Sequence, residues 1–175
     1  MRNEMVLTLT GPDRVGIVEE VTRVLLGLDA NVTTSRMARL GGEFAIILLA
    51  SVPEGADLGG AFGDLESQGY SVAIHSSSGG GVGHADWVPY RIEVCGADHE
   101  GIVHEIAAGL SAAGISIESM ETGTTSAPVT GATLFTMQAQ VVVPPSLAAN
   151  PAWSETVREA GNRSNVDVIV LPGRE

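Results

Sequence analysis

The chain has 175 residues and a mass of 18.0 kDa, enough for one ordinary domain or two small ones. Apolar residues make up 44% and charged ones 17%, a balance that supports a packed core and excludes a disordered chain. The 21 acidic residues face nine basic ones, all of them arginine, for a net charge of −12, which disfavours direct contact with nucleic acid or an anionic membrane surface.

A single cysteine, Cys95, excludes an internal disulfide framework and a thiolate metal cluster. Asp13, Glu19 and Glu20 fall where a secretory leader would need its apolar stretch. No run reaches the roughly 18 apolar residues of a membrane span. The expectation is a cytoplasmic protein with no membrane association.

In chain order, Met5–Thr10 is a β-rich run ending at Gly11. Ile17, Val18, Val21, Leu25 and Leu28 then mark one face of a helix. Asn31–Leu40 is a strand candidate, Gly41-Gly42 fits a two-residue hairpin turn, and Phe44–Val52 is an almost continuous apolar run. Leu58, Phe62 and Leu65 give a second, weaker helix ending at Gly69, and Tyr70–Ile74 a closing strand. Residues 76–86 are rich in glycine and serine and read as a linker.

The order then repeats. GPDRVGIVEE (11–20) and GADHEGIVHE (96–105) share six of ten positions at an offset of 85. EFAIILLASVP (43–53) aligns with LFTMQAQVVVP (134–144) at an offset of 91, and the extra residues are assigned to a longer turn at 123–131. Ile102, Val103, Ile106, Leu110 and Ala113 form the helix face of the second copy. Asn150-Pro151 is expected to cap a helix carrying Trp153 and Val157, followed by a strand over Val166–Leu171. The predicted fold class is α+β: two ferredoxin-like βαββαβ domains, each a four-stranded antiparallel sheet with two helices on one face. The expected domains are residues 1–77 and 88–175, with a linker at 78–87. Phe44–Val52 reads as apolar on both faces, so the sheets are expected to pack against another copy, within the chain or in a homo-oligomer, most simply a dimer.

The run Gly-x-Asp-x-x-Gly-Ile-Val at each first strand–helix junction, inside a βαββαβ unit, resembles the ACT domain. Two in tandem resemble the glycine cleavage system transcriptional repressor family. The resemblance implies a regulatory module that binds a small amino acid, glycine or similar, and acts through a protein partner. Carried over by position, the ligand-binding residues are Gly11, Pro12, Asp13, Arg14, Gly16, Ile17 and Asn31 in the first copy. In the second they are Gly96, Asp98, His99, Gly101 and Ile102; Ser116 stands where the first copy has Asn31.

The chemistry of these loops agrees with that role. A helix N-terminus offers unpaired N–H groups to a carboxylate, and glycine allows close approach. Asp13 and Asp98 are equally well read as helix N-caps, and Gly16 and Gly101 can serve close helix–sheet packing as well as ligand approach. Arg14, Arg36 and Arg39 can bind anions or lie as surface charges. Cys95 is expected to be a buried thiol. His99 and His104 are five apart, the wrong phase for a helical zinc motif, and Ile17-Val18 stand where a phosphate loop needs Lys-Ser/Thr. No catalytic residue, metal or cofactor is assigned. Two alternatives stay open: an acylphosphatase-type enzyme on the same fold, using Arg14 and Asn31, and a module that only dimerises.

Overall fold

The computed structural model describes residues 1–77, 84–127, 131–150 and 152–173. The chain divides into two compact units, residues 1–81 and 82–175. Most of the expected linker, residues 78–83, lies outside the described residues, as do residues 128–130 and Pro151.

In the first unit the elements are β1 (Arg2–Pro12), α1 (Ile17–Gly27), β2 (Asn31–Leu40), β3 (Glu43–Pro53), α2 (Leu58–Ala61), α3 (Gly63–Ser67) and β4 (Ser71–Ser76). Its sheet has the order β2-β3-β1-β4 with every pair antiparallel, the ferredoxin-like arrangement. Leu7 and Leu9 from β1 and Phe44, Ile46 and Leu48 from β3 form one core with Ile17, Val21 and Leu25 of α1 and with Leu58, Phe62 and Leu65. Both helical layers therefore cover the same sheet face. The apolar positions of α1 recur every three or four residues because that spacing returns a side chain to one face.

The second helix of this unit is not continuous, as the sequence led one to expect. It breaks at Phe62 into two short pieces. Gly59, Gly60 and Gly63 fall within it, and each glycine costs a helix about 1 kcal/mol relative to alanine. Phe62 is nevertheless fully buried, so packing holds the pieces in place. β3 also differs from expectation. Phe44, Ile46, Leu48, Ala50 and Val52 are buried while Ile47 is 48% exposed, so the strand alternates between a core face and an outer face.

The second unit repeats the plan with β5 (Val88–Ala97), α4 (Ile102–Ala112), β6 (Ser116–Ser126), β7 (Thr133–Val143), α5 (Pro145–Ala148), α6 (Ala152–Arg163) and β8 (Val166–Pro172), in the sheet order β6-β7-β5-β8. Asn150 caps α6 by accepting the Ala152 N–H at 3.0 Å, and Trp153 and Val157 are buried below. The segment assigned to a long turn is shorter than predicted. Gly123–Ser126 pair with Thr136–Thr133 and extend the hairpin. Cys95 is exposed rather than buried. It pairs with Thr136 and Asp167, and those residues face away from the core that Val94 enters. Among the described residues no helix is long and apolar enough to cross a membrane.

Candidate functional site

Each β–α junction turns through a glycine that no other residue replaces easily. Gly16 has φ +90° and Gly101 φ +94°, and each is the residue preceding its helix. A left-handed conformation here strains any L side chain. A Cβ on either glycine would have nothing within 4 Å, so the backbone at both helix starts borders open space.

Asp13 and Asp98 are not the N-caps. The helices begin at Ile17 and Ile102, and the N-cap positions belong to Gly16 and Gly101, without a side-chain cap. The aspartates sit three residues earlier, tied by their backbone N–H groups to the β-hairpin tips. Asp13 donates to the Gly42 carbonyl at 2.9 Å and Asp98 to that of Thr133 at 3.3 Å. The Asp13 carboxylate instead meets Arg39 of β2 at 3.3 Å.

Gly11 and Gly96 serve a different purpose. A Cβ on Gly11 would lie 2.5 Å from Tyr70 Cδ1, and one on Gly96 would lie 2.9 Å from the Val166 Cα. These glycines let the last strand of each sheet cross close to the start of the loop. The Tyr70 hydroxyl then donates to the Pro12 carbonyl at 2.7 Å.

A cavity of about 300 Å³ opens beside the first junction, lined by Asp13, Arg14, Gly16, Ile17, Val18 and, from the β2–β3 hairpin, Met37, Ala38, Arg39 and Phe44. A cavity of about 460 Å³ opens at the matching place in the second unit, lined by Asp98, His99, Gly101, Ile102, Val103, His104, Ala107 and Phe135. Of the residues singled out in the sequence, Asp13, Arg14, Gly16, Ile17, Asp98, His99, Gly101 and Ile102 share these cavities. Gly11, Pro12 and Gly96 support the loops without lining them. Asn31 does not join them: it pairs with Ser51, whereas Pro12 pairs with Glu43, eight residues along β3 and so roughly 25 Å away. Arg39 and Met37 were not among the predicted ligand-binding residues. Their link to Asp13 depends on the hairpin folding back, which neighbouring sequence does not reveal.

Arg14 and His99 occupy equivalent positions and reach equivalent ones. The Arg14 guanidinium donates to Glu20 and to Gln68 at 2.9 Å, and stands 5.6 Å from the Tyr70 ring centre. The hydrogen bond to Glu20 raises the Arg14 pKa further, and Arg14, followed by Gln68, holds the Glu20 carboxyl below its ordinary value. His99 contacts two carbonyl oxygens, Ser164 at 2.6 Å from Nε2 and Glu100 at 2.9 Å from Nδ1. A carbonyl only accepts, so both contacts are hydrogen bonds only when both ring nitrogens are protonated. The Ser164 carbonyl, then that of Glu100, accordingly raises the His99 pKa.

These engagements bear on other chemistry. Arg14 and Asn31, the pair an acylphosphatase-type site would need, lie at opposite ends of the sheet. Among the described residues no group of three or more His, Cys, Asp or Glu is placed to hold a metal. The five-residue separation of His99 and His104 was read as a helical phase, but α4 starts at Ile102, so His99 lies outside the helix. Both its nitrogens are taken by carbonyls.

The ACT domain sequence profile matches residues 3–75. A 73-residue stretch is 30% identical to the UPF0237 protein of Methanosarcina mazei, spanning 41% of this chain and 79% of that protein. A 47-residue stretch is 45% identical to the glycine cleavage system transcriptional repressor of Escherichia coli, 27% of this chain and 25% of the repressor. The crystal structure of a protein of unknown role from Galdieria sulphuraria matches 99% of this chain and 100% of its own, with a TM-score of 0.84 and 34% identity. Another solved structure, bearing the name of a glycine cleavage system transcriptional repressor, matches 100% of this chain and 99% of its own with a TM-score of 0.71 at 18% identity, a likeness of fold alone. The ACT-domain match and the similarity to the repressor sequence support a regulatory, ligand-binding role. The chain belongs to the ACT-domain family and carries that fold twice.

Proposed function

We propose that this protein is a non-catalytic sensor of a free amino acid or similarly small carboxylate, and that it passes the signal on through contacts with another protein. The observation that carries this reading is the cavity beside each β–α junction, bordered by a left-handed glycine and an aspartate in both units. The exposed backbone at such a junction suits a carboxylate. The aspartate supplies an acceptor for an ammonium group. Similarity to a transcriptional repressor over 47 residues favours a regulatory output, and the net charge of −12 favours delivering it through a protein rather than by touching DNA. The arrangement also suits a homodimer: the outer face of the first sheet carries Val6, Thr8, Ala45, Ile47 and Leu49, of which Ile47 is 48% exposed.

A thermal-shift screen of the twenty amino acids tests the reading. A ligand at 100 times its Kd stabilises the fold by about 2.7 kcal/mol, which raises the midpoint measurably. A flat response to all twenty at 10 mM, roughly tenfold above the weakest affinity expected of so small a ligand, sinks it. Hydrolysis of an acyl phosphate, assayed alongside, would return the enzyme alternative in its place.

A further inference from the structure

We propose that the cavity of the first unit, and not that of the second, takes an α-amino acid with an apolar side chain, its carboxylate on Arg39 beside the exposed junction backbone and its ammonium on Asp13. This rests on the reading that the junction cavities are amino-acid sites, and adds which cavity, which class of amino acid and which residues select it. Asp13 and Arg39 both line the first cavity and meet at 3.3 Å, with side chains 25% and 73% exposed. An ion pair this exposed contributes little to stability, so opening it costs little. A zwitterion entering between the two charges replaces one ion pair with two, its carboxylate against the guanidinium and its ammonium against the aspartate.

Arg14 is the other guanidinium lining this cavity, but it is engaged by Glu20, Gln68 and the Tyr70 ring. Arg39 reaches from a strand and has Asp13 as its one ion-pair partner among the described residues. It can present the two parallel N–H groups that a carboxylate accepts. The rest of the lining is apolar: Ile17, Val18, Met37 and Phe44. Each further CH₂ buried against such a wall tightens binding roughly fourfold, and glycine has none to offer.

The second cavity lacks the pair. Arg39 faces Phe44 across the β2–β3 hairpin, and at the same station of the β6–β7 hairpin Thr124 faces Phe135. Asp98 is retained, but among the described residues no guanidinium lines that cavity. His99, the counterpart of Arg14, spends both ring nitrogens on carbonyls. His104 remains, but an imidazole cannot present the two parallel N–H groups that a guanidinium offers a carboxylate.

The test is calorimetry on the full chain at pH 7.5 and low salt, with four probes: L-leucine, glycine, 4-methylpentanoate and 3-methylbutylamine. The last two are leucine without its amine and without its carboxylate. The expected result is one leucine per chain, bound at least about tenfold more tightly than glycine and than either half-molecule. Arg39→Thr, which places the second unit's residue on an exposed strand position, should weaken leucine at least about tenfold without moving the melting midpoint of the free protein. Arg39→Lys should lose less. Two equivalents per chain, glycine binding as tightly as leucine, or unchanged affinity in Arg39→Thr would each overturn the proposal while leaving an amino-acid sensor standing. Failure of every amino acid in the thermal screen removes the sensor reading and this proposal with it.

Discussion

Tyr70 closes directly over Gly11. Its ring carbon Cδ1 would lie 2.5 Å from a Cβ placed there, and its hydroxyl donates to the Pro12 carbonyl at 2.7 Å. This contact joins the end of β1 to the start of β4 and sets where the Asp13–Gly16 loop departs. Gly11→Ala should therefore lower the unfolding free energy by about 1–3 kcal/mol, the usual cost of overpacking. Gly96→Ala should do at least as much, because the clash there involves the Val166 backbone. Gly27→Ala is the control. It lies in α1 with nothing within 4 Å of the new methyl, and should be neutral or stabilising by up to about 1 kcal/mol. Urea denaturation of the three variants decides, and a Gly11→Ala protein as stable as the parent contradicts the packing described.

Gly16 and Gly101 behave differently. There is space beside both, but their φ values of +90° and +94° make a left-handed turn that alanine resists by roughly 1–2 kcal/mol. Gly16→Ala and Gly101→Ala should each be destabilised by that amount, and Gly16→Val by more, since its branched side chain fits such a φ least well. A valine therefore cannot serve as a clean block of the cavity. Arg39→Thr, on an exposed strand position, avoids the difficulty.

His99 gives the second unit a dependence on pH. Its pKa is raised in the folded state, first by the Ser164 carbonyl, then by that of Glu100, with the Asp98 charge a smaller contribution. A group whose folded pKa lies above its unfolded value favours folding fully below the unfolded value, about 6.5 for histidine, and loses that effect as pH rises through the folded one. The stability difference between the parent and His99→Gln should thus be larger at pH 5.5 than at pH 8.5. Urea titrations at the two pH values measure it. An equal difference at both would mean that the imidazolium does not hold the two carbonyls.

The first unit carries the opposite dependence. Glu20 is held below its ordinary pKa, mainly by Arg14 and then by Gln68. A depressed carboxylate favours folding above its unfolded value, near 4.5, and loses that effect as pH falls through the folded one. Glu20→Gln should separate from the parent at pH 6 and converge with it toward pH 3. Parallel pH profiles would count against the Arg14–Glu20 contact.

The parts of this architecture that burial sets were legible from the residues. Ile17, Val21 and Leu25 recur at helical spacing, and the doubled Gly-x-Asp-x-x-Gly-Ile-Val run placed both junctions. Errors arose where local sequence is ambiguous. An aspartate near a helix start looks like a cap, but the left-handed Gly16 moves the helix start beyond Asp13. Cys95 sits in an apolar strand, yet strand alternation turns it outward while Val94 turns in. Arg39 stands 26 residues from Asp13, and only the return of the hairpin brings the two together. Asn31, carried over as a ligand-binding residue at the start of β2, lies within this unit at the end of the sheet away from that loop, a distance set by strand register rather than by neighbouring sequence.

The last expectation concerns nucleic acid. Similarity to a repressor invites the idea that the chain itself grips DNA, and its charge argues otherwise. Neutralising phosphates requires a cluster of cations, and affinity then falls steeply as salt releases the counterions they displaced. Nine arginines against 21 acidic residues give −12 overall. Among the described residues seven arginines are already set against carboxylates: Arg2 with Asp29, Arg14 with Glu20, Arg23 with Glu19, Arg39 with Asp13, Arg91 with Glu93, Arg158 with Glu155 and Arg163 with Glu105. A basic stripe that would follow a phosphate backbone cannot be assembled from cations spread singly among acids. Fluorescence anisotropy with a random 30-base-pair duplex at 50 mM salt should therefore show no binding at micromolar protein. Saturable binding that weakens tenfold or more between 50 and 200 mM salt, the signature of several phosphate contacts, would show that the acidic surface hides a nucleic-acid site and would move the proposed output from a protein partner to DNA itself.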